Sequence, residues 1–275
     1  MRRAGLTLGI TIIVAAVFAA LFAPVLSPKD PNAFDLSLRL LGPRGGYPFG
    51  LDEEGRDLLS LVLWGARVSL TVSVLTVFFS GLIGILVGLT AGYMGGVADG
   101  VFTFVTDVVM SFPSILLMIG LAALRREGGI FTLVAILSLV GWVSYARIVR
   151  GQVLSLKERD YVKASQGFGG SVWRIWFRHL LPNLLAPLLV QATFGMAGVI
   201  LAEATLSFLG LGLPADVPSW GRLIDQGVQY LLVAPHVSIF PGLAMATVIL
   251  GFNFLGDGLR DYFDVKAASC GTSPS

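Results

Sequence analysis

Charged residues are scarce in this chain, and their scarcity excludes an ordinary soluble domain. Asp, Glu, Lys and Arg make up 13% of the 275 residues, about half of the share that is usual in soluble proteins. Hydrophobic residues make up 55%, and the mean hydropathy is +0.81. This balance indicates an integral membrane protein.

Cysteine, histidine and lysine are also few, and each shortage excludes a kind of site. Cys270 is the only cysteine, so no intrachain disulfide can form. His179 and His236 are far apart and have no Cys or carboxylate at metal-ligand spacing, which argues against a metal site. No lysine follows a glycine, which excludes a Gly-Lys-Ser/Thr phosphate loop, and no Gly-x-Ser-x-Gly nucleophile elbow is present. We therefore predict that this chain has no enzyme active site, no metal site and no ATP site of its own.

Six long apolar stretches are present, and a helix needs about 20 such residues to cross a membrane. They are residues 4–26, 68–96, 101–124, 128–146, 181–212 and 234–256. Arg2 and Arg3 precede the first stretch and place the N-terminus in the cytoplasm by the positive-inside rule. We therefore predict an all-α integral membrane fold with six transmembrane helices and both termini in the cytoplasm.

The loop between the fourth and fifth stretches is the most basic segment of the chain. Its cations are Arg147, Arg150, Lys157, Arg159, Lys163, Arg174 and Arg178. The positive-inside rule places this loop in the cytoplasm, and the net charge of only +2 favours contact with anionic lipid over nucleic acid. Apolar spacing from Tyr161 to Phe168, followed by Gly169 and Gly170, predicts a short helix that ends in a glycine turn.

The segment 27–66 has mixed charge and several prolines, which predict an irregular extracytoplasmic connection. Within it, acidic and apolar residues over 51–64 predict a short amphipathic helix at the outer interface. We therefore divide the chain into four parts. They are 1–26, the N-terminal end and first transmembrane helix; 27–66, the extracytoplasmic segment; 67–265, a five-helix core with the basic loop 151–180; and 266–275, a disordered tail.

Two carboxylates lie inside predicted spans, where a charged group is costly and is a candidate functional residue. Asp107 and Glu203 each lie near the end of a span, so we favour structural pairing or snorkelling over substrate contact. Gly81, Gly84 and Gly88 begin a series at helical spacing, which predicts close helix packing.

The basic loop resembles the EAA loop of the permease subunits of bacterial ATP-driven (ABC) importers, in which a helix docks into a cleft of the ATPase subunit. The family's Glu-Ala-Ala, Gly and Leu-Pro pattern falls on Lys163, Ala164, Ser165, Gly169, Leu181 and Pro182. Lys163 stands in place of the acidic residue and Ser165 in place of the second alanine. The resemblance implies that these residues, with Asp160 and Tyr161, couple the chain to an ATPase.

The resemblance extends over nearly the whole chain and is to the second, C-type permease subunit of the dipeptide, oligopeptide and nickel importer family. Segments that carry it are 49–57, 65–70, 91–93, 112–113, 145–151, 203–212, 218–221 and 253–261. In the first segment, Leu51 stands where the family has Thr. Their order and spacing together are specific to this family.

This resemblance implies a type I ABC importer permease fold in a bacterial cytoplasmic (inner) membrane. It implies four kinds of partner: a homologous second permease subunit, two ATPase subunits that bind ATP and Mg²⁺, an extracytoplasmic substrate-binding protein, and membrane lipid. The chain itself is expected to hold no cofactor. On the outer side, the candidates for contact with the binding protein are Asp52, Arg56, Asp57 and Trp220.

Peptides, either di- or oligopeptides, are the favoured substrates of such an importer. Import of nickel or of another small solute remains an alternative, because the same family architecture serves it. A self-sufficient channel or secondary transporter would also explain the apolar stretches, but it leaves the polar loop unexplained.

Overall fold

Most of the described chain is helical, because apolar segments in a membrane must satisfy their backbone groups internally. The computed structural model describes residues 2–124, 128–214 and 216–271. Its helices are α1 (Arg2–Leu21), α2 (Ala23–Leu26), α3 (Leu58–Met94), α4 (Gly96–Ser111), α5 (Ser114–Ala123), α6 (Ile130–Leu156), α7 (Asp160–Gly167), α8 (Val172–Ile175), α9 (Leu181–Phe208), α10 (Trp220–Val228) and α11 (His236–Gly271). A π-helical turn, Trp176–Leu180, joins α8 to α9.

The six predicted apolar segments are all helical, but they are not six full crossings. Four helices in the described ranges are long and apolar enough to cross a membrane: Leu58–Met94, Ile130–Leu156, Val172–Phe208 and His236–Phe263. The third predicted span is broken, because α4 and α5 meet at 85° around Phe112 and Pro113, where proline cannot continue the helix. The apolar part of α1 is shorter, Gly5–Leu21.

The short amphipathic helix predicted over 51–64 is replaced by a tight turn and the start of α3. Leu51 and Asp57 pair across this turn, and Gly55 at its tip has a φ of +74°. The Asp57 carboxylate accepts the backbone N–H of Ser60 at 2.8 Å, so α3 begins immediately after the turn. Burial of Leu58 and Leu61 then draws the first residues of α3 into the helical core.

The last helix also continues further than the sequence predicted. The backbone is helical through Gly271, so the segment 266–275, predicted to be disordered, begins inside α11. Lys266 and the two alanines that follow it have high helix propensity, which favours this extension. Residues 272–275 lie outside the described residues.

Glycines bring α3 and α6 into close contact, as their spacing predicted. A Cβ on Gly84 would overlap the Cβ of Tyr145 and lie 2.9 Å from the Ala146 nitrogen. A Cβ on Gly88 would lie 2.6 Å from the Ala146 oxygen. We call this line of contact the glycine seam, Gly84 and Gly88 against Tyr145 and Ala146; it lets two backbones approach where larger residues would hold them apart.

The 37 residues of α3 give it a length of about 55 Å, so the helix spans the molecule. Near its start, the Trp220 indole donates to the Val62 oxygen at 3.1 Å, which places α10 at that end. Near its last turn, the Lys157 ammonium donates to the Gly92 oxygen at 3.1 Å, and Gln166 of α7 donates to the Tyr93 hydroxyl at 3.3 Å. The molecule therefore has an α10 end and an α7 end.

Candidate functional site

The short helix predicted in the basic loop is present as α7, and its apolar packing against the helical core is made by Val162. Of its eight residues, all of which are described, Val162 alone is buried. Val162 packs with Ile175, Trp176 and Leu180, which follow α7 in the chain. The side chains of the other α7 positions are exposed or half-buried, so this helix presents most of its surface outward.

A glycine turn ends α7, as the sequence predicted. The Gly170 N–H donates to the Ser165 oxygen at 2.9 Å, and the Gly169 N–H donates to the Gln166 oxygen at 3.0 Å. Gly169 has a φ of +74°, the left-handed conformation that glycine adopts without a steric penalty. This geometry directs the chain from α7 into α8.

The predicted coupling residues fall into two groups on this end. Asp160, Tyr161, Lys163, Ala164 and Gly169 are exposed, and Ser165 is half-buried. Lys163 stands at the acidic position of the family pattern. Its ammonium nitrogen lies 2.9 Å from a carboxylate oxygen of Glu158. The hydrogen bond and the charge of Lys163 lower the pKa of the Glu158 carboxyl below its ordinary value.

Leu181 and Pro182 lie further back, at the start of α9. Leu181 is half-buried and Pro182 is exposed. Proline has no N–H to donate, which costs little in the first turn of a helix. The Asn183 side-chain amide donates to the His179 oxygen at 2.7 Å, across the junction of the π turn and α9. Leu181 and Pro182 therefore lie at this junction and not on α7.

Phe168, Trp173 and Phe177 form an exposed aromatic edge beside α7, which the sequence analysis did not select. Phe168 is 93% exposed, and Trp173 is 64% exposed and stacks on Phe177. Phe168 directly precedes the glycine turn. This position, at the end of the predicted helix, was the sequence signal that could have identified it as a surface residue. Apolar side chains of this size at the end of a membrane protein are typical of a contact surface.

At the α10 end, Glu203 is buried and connects three helices. Its carboxylate accepts hydrogen bonds from Ser207 and Ser219 at 2.8 Å each, and from Ser69 of α3 at 3.4 Å. Ser219 is the N-cap of α10, and it also accepts the Arg222 N–H. The carboxylate thus holds α10 against α3 and α9.

The four residues predicted to contact a binding protein are not on the exposed surface. Asp52 and Asp57 are 2% exposed, and Trp220 is also 2% exposed. Asp52 accepts the Arg56 guanidinium at 2.7 Å and two backbone N–H groups of the turn, while Arg56 is half-buried. Their contacts therefore stabilise the turn and the start of α3. Exposed apolar residues at this end include Leu232 and Val233, which the sequence analysis did not select.

Asp107 lies on an exposed face of α4. Its charge attracts Arg150 of α6, whose guanidinium also donates to the Asp99 carboxylate at 2.8 Å. The two intramembrane carboxylates thus differ, because Glu203 is enclosed by hydroxyl groups and Asp107 is open to its surroundings.

Cavities lie along α6 and α9 between the two ends of the molecule. One cavity of about 450 Å³ opens between α3, α5, α6 and α9. Another, of about 650 Å³, lies nearer the α7 end, between α6, α9 and α11. Gln191 of α9 lines both cavities, so they are adjacent along the same helix.

Curated bacterial proteins are similar to this chain over most of its length. The dipeptide transport system permease protein of Alkalihalophilus pseudofirmus is 41% identical over 85% of this chain and 76% of its own length. The glutathione transport system permease protein of Pectobacterium atrosepticum is 38% identical over 86% and 79%. The oligopeptide transport system permease protein of Bacillus subtilis is 38% identical over 82% and 73%.

Solved structures support the fold independently. A structure described as an inward-facing conformation of the MetNI methionine ABC transporter matches with a TM-score of 0.56 and 21% identity. The match covers 74% of this chain and 97% of the other. Residues 84–268 match the family of binding-protein-dependent transport system inner membrane components. Together with the identities to the bacterial permeases, this match shows that the chain belongs to that family.

Proposed function

We propose that this chain is one permease subunit of an ATP-driven importer of di- or oligopeptides in a bacterial cytoplasmic membrane. Family membership supports the transport role, and the names of the dipeptide, oligopeptide and glutathione relatives support a peptide as cargo. The observation that carries the proposal is α7, a short helix that exposes most of its surface at one end of a set of membrane-length helices.

In this proposal α7 transmits movement from the ATPase subunits to the membrane helices and has no catalytic role. The complex contains two ATPase subunits, which bind ATP and Mg²⁺, and one of them holds α7 and the aromatic edge at Phe168 and Trp173. Because Val162 packs against Ile175 and Leu180, movement of α7 is passed to α8 and α9. A homologous second permease completes the path, a binding protein delivers the peptide at the α10 end, and the two permeases switch between inward-open and outward-open states.

The experiment places a large charged side chain on each end of the molecule in turn. Ala164 of α7 and Ala33 of the outer segment are both exposed alanines. We expect Ala164→Arg to abolish co-purification of ATPase subunits with the tagged chain and ATP-driven uptake of trialanine. Ala33→Arg is the matched control and is expected to retain both. Co-purification is read by mass spectrometry, and uptake is measured in proteoliposomes that contain the complete complex.

Two results would contradict this function. One is recovery of wild-type chain without ATPase subunits, together with solute uptake driven by an ion gradient alone; this result would favour a channel or secondary transporter. The other is a complete complex that hydrolyses ATP and imports nickel but no peptide from a panel of di- and tripeptides.

A further inference from the structure

Two residues that line the cavity between α3, α5, α6 and α9 carry buried hydroxyl groups with no partner. Tyr145 of α6 is 5% exposed and Ser80 of α3 is 2% exposed, and neither hydroxyl makes a hydrogen bond within the described residues. Buried polar groups in proteins are nearly always paired, because an unpaired one keeps the full cost of its desolvation. These two hydroxyls therefore lack the partner that a buried polar group usually has.

Space for a ligand exists next to both groups. Ser80 and Tyr145 line the cavity of about 450 Å³, together with Gly141 and Gly195. A Cβ on Gly195 would overlap the Tyr145 hydroxyl, and a Cβ on Gly141 would lie 2.8 Å from the Ser80 hydroxyl. Each glycine thus packs against one of the unpaired oxygens, and a larger residue at either position would displace that hydroxyl.

The cavity is uncharged, and its mainly apolar wall carries a small number of polar groups. The described residues that line it include Ser80, Ser144, Tyr145, Gln191 and Thr205, and none of its described lining residues carries a charge. Hydroxyl and carboxamide groups both donate and accept hydrogen bonds. A peptide main chain presents N–H donors and C=O acceptors in alternation, so neutral groups of this kind can pair with it whatever its side chains are.

The position of the cavity suits a solute that crosses the membrane. The neighbouring cavity of about 650 Å³ extends toward the α7 end and is lined by Gln152 and Arg260. Gln191 belongs to both cavities, so its carboxamide lies where a solute would pass from one to the other.

We propose that Ser80, Tyr145 and Gln191 form a subsite that hydrogen-bonds the main-chain amide groups of a peptide in transit. The inference rests on the proposed function and adds the location and chemistry of the substrate contact on this chain. The subsite recognises the peptide backbone, so selection among side chains is left to the binding protein.

The first test is protection of the cavity by peptide without turnover. The only cysteine is replaced by Cys270→Ser, and Ser144→Cys is introduced on the wall of the cavity. We expect trialanine to slow maleimide labelling of Ser144→Cys in the complete complex at least threefold. Ser155→Cys, an exposed position on the same helix outside the cavity, is the control and should label at an unchanged rate.

The second test removes one oxygen atom from the proposed subsite. Tyr145→Phe keeps the ring that packs with Val149 and Leu184, and the lost hydrogen bond is expected to raise the KM for trialanine uptake by about 3- to 10-fold. Tyr262→Phe, an exposed tyrosine outside both cavities, is the control and should leave the KM unchanged. The increase should be smaller for trialanine N-methylated at the amide nitrogen of its middle residue, which offers one fewer main-chain donor.

The outcomes separate this inference from the function on which it rests. A wild-type complex that imports trialanine, with an unchanged KM in Tyr145→Phe and no protection of Ser144→Cys, would mean that the hydroxyls serve only buried water, and would overturn the subsite. A wild-type complex that hydrolyses ATP but imports no peptide would overturn the proposed function, and the subsite with it.

Discussion

At the scale of single residues, Glu203 shows how a carboxylate is accommodated in a membrane helix. It is 1% exposed and accepts hydrogen bonds from hydroxyl groups of α3, α9 and α10. An isolated charge in such a place costs several kcal/mol, whereas hydrogen bonds offset much of that cost. Because the donors come from three helices, the same bonds fix the relative positions of those helices at the α10 end.

Gly169 and Gly167 form a matched pair only two residues apart. Both have open space around them, but Gly169 has a φ of +74° and Gly167 is in the last turn of α7. We expect Gly169→Ala to destabilise the glycine turn by about 1 to 2 kcal/mol, because a Cβ disfavours this backbone conformation. Gly167→Ala should instead stabilise α7 by up to about 1 kcal/mol.

Hydrogen exchange of the Gly170 amide, which donates to the Ser165 oxygen, measures this difference. Exchange should be faster in Gly169→Ala and unchanged or slower in Gly167→Ala. Equal exchange in the two variants would show that the conformation of residue 169 does not hold the turn.

At the scale of helices, the contact between α3 and α6 depends on the glycine seam. The two helices are both long enough to cross a membrane, and small residues allow their backbones to pack closely. Gly81, one turn before Gly84, is different, since a Cβ there would make only ordinary contacts of 3.9 Å with the Tyr145 ring.

This difference predicts opposite effects of the same substitution. Gly84→Ala should destabilise the protein by about 1 to 3 kcal/mol, because the added methyl group meets the α6 backbone. Gly81→Ala should be neutral or stabilising by up to about 1 kcal/mol, through its higher helix propensity. Unfolding in mixed micelles with increasing sodium dodecyl sulfate checks both. A Gly84→Ala midpoint at or above that of the wild type would contradict the packing described here.

The helices and their order could be predicted from the sequence because membrane segments are set by long apolar runs. The glycine turn after α7 could be predicted as well, since Gly169 and Gly170 follow helix-forming residues. The start of α3 could not, because acidic and apolar residues at 51–64 fit an amphipathic helix equally well. Only the Asp57 cap and the pairing of Leu51 with Asp57 decide between the two.

The exposed α7 residues of the candidate site could be predicted from the sequence, but the burial of the residues at the α10 end could not, for a related reason. The α7 residues share a local pattern, whereas Asp52, Asp57 and Trp220 are polar or aromatic residues whose burial depends on contacts between segments distant in the chain. The cavity hydroxyls of Ser80 and Tyr145 come from different helices, and sequence spacing alone does not bring them together.

At the scale of the whole molecule, the two ends carry different surfaces and we propose that they face opposite sides of the membrane. The α10 end includes the outer segment with Ala33, and the α7 end includes Ala164. In a Cys270→Ser background, Ala33→Cys should react with an impermeant maleimide in intact spheroplasts. Ala164→Cys should react only after permeabilisation. The reverse pattern would place α7 outside, where no ATPase subunit could bind it.

Tyr145 contributes to the glycine seam through its Cβ and to the cavity through its hydroxyl. A substitution that enlarges residue 84 therefore displaces the Tyr145 ring and its hydroxyl oxygen together. If the proposed subsite binds peptide, a change in the packing of α3 and α6 also changes the KM for peptide uptake. Selection acting on either property then constrains the other, and a screen for an altered KM should recover changes at position 84, which does not line the cavity.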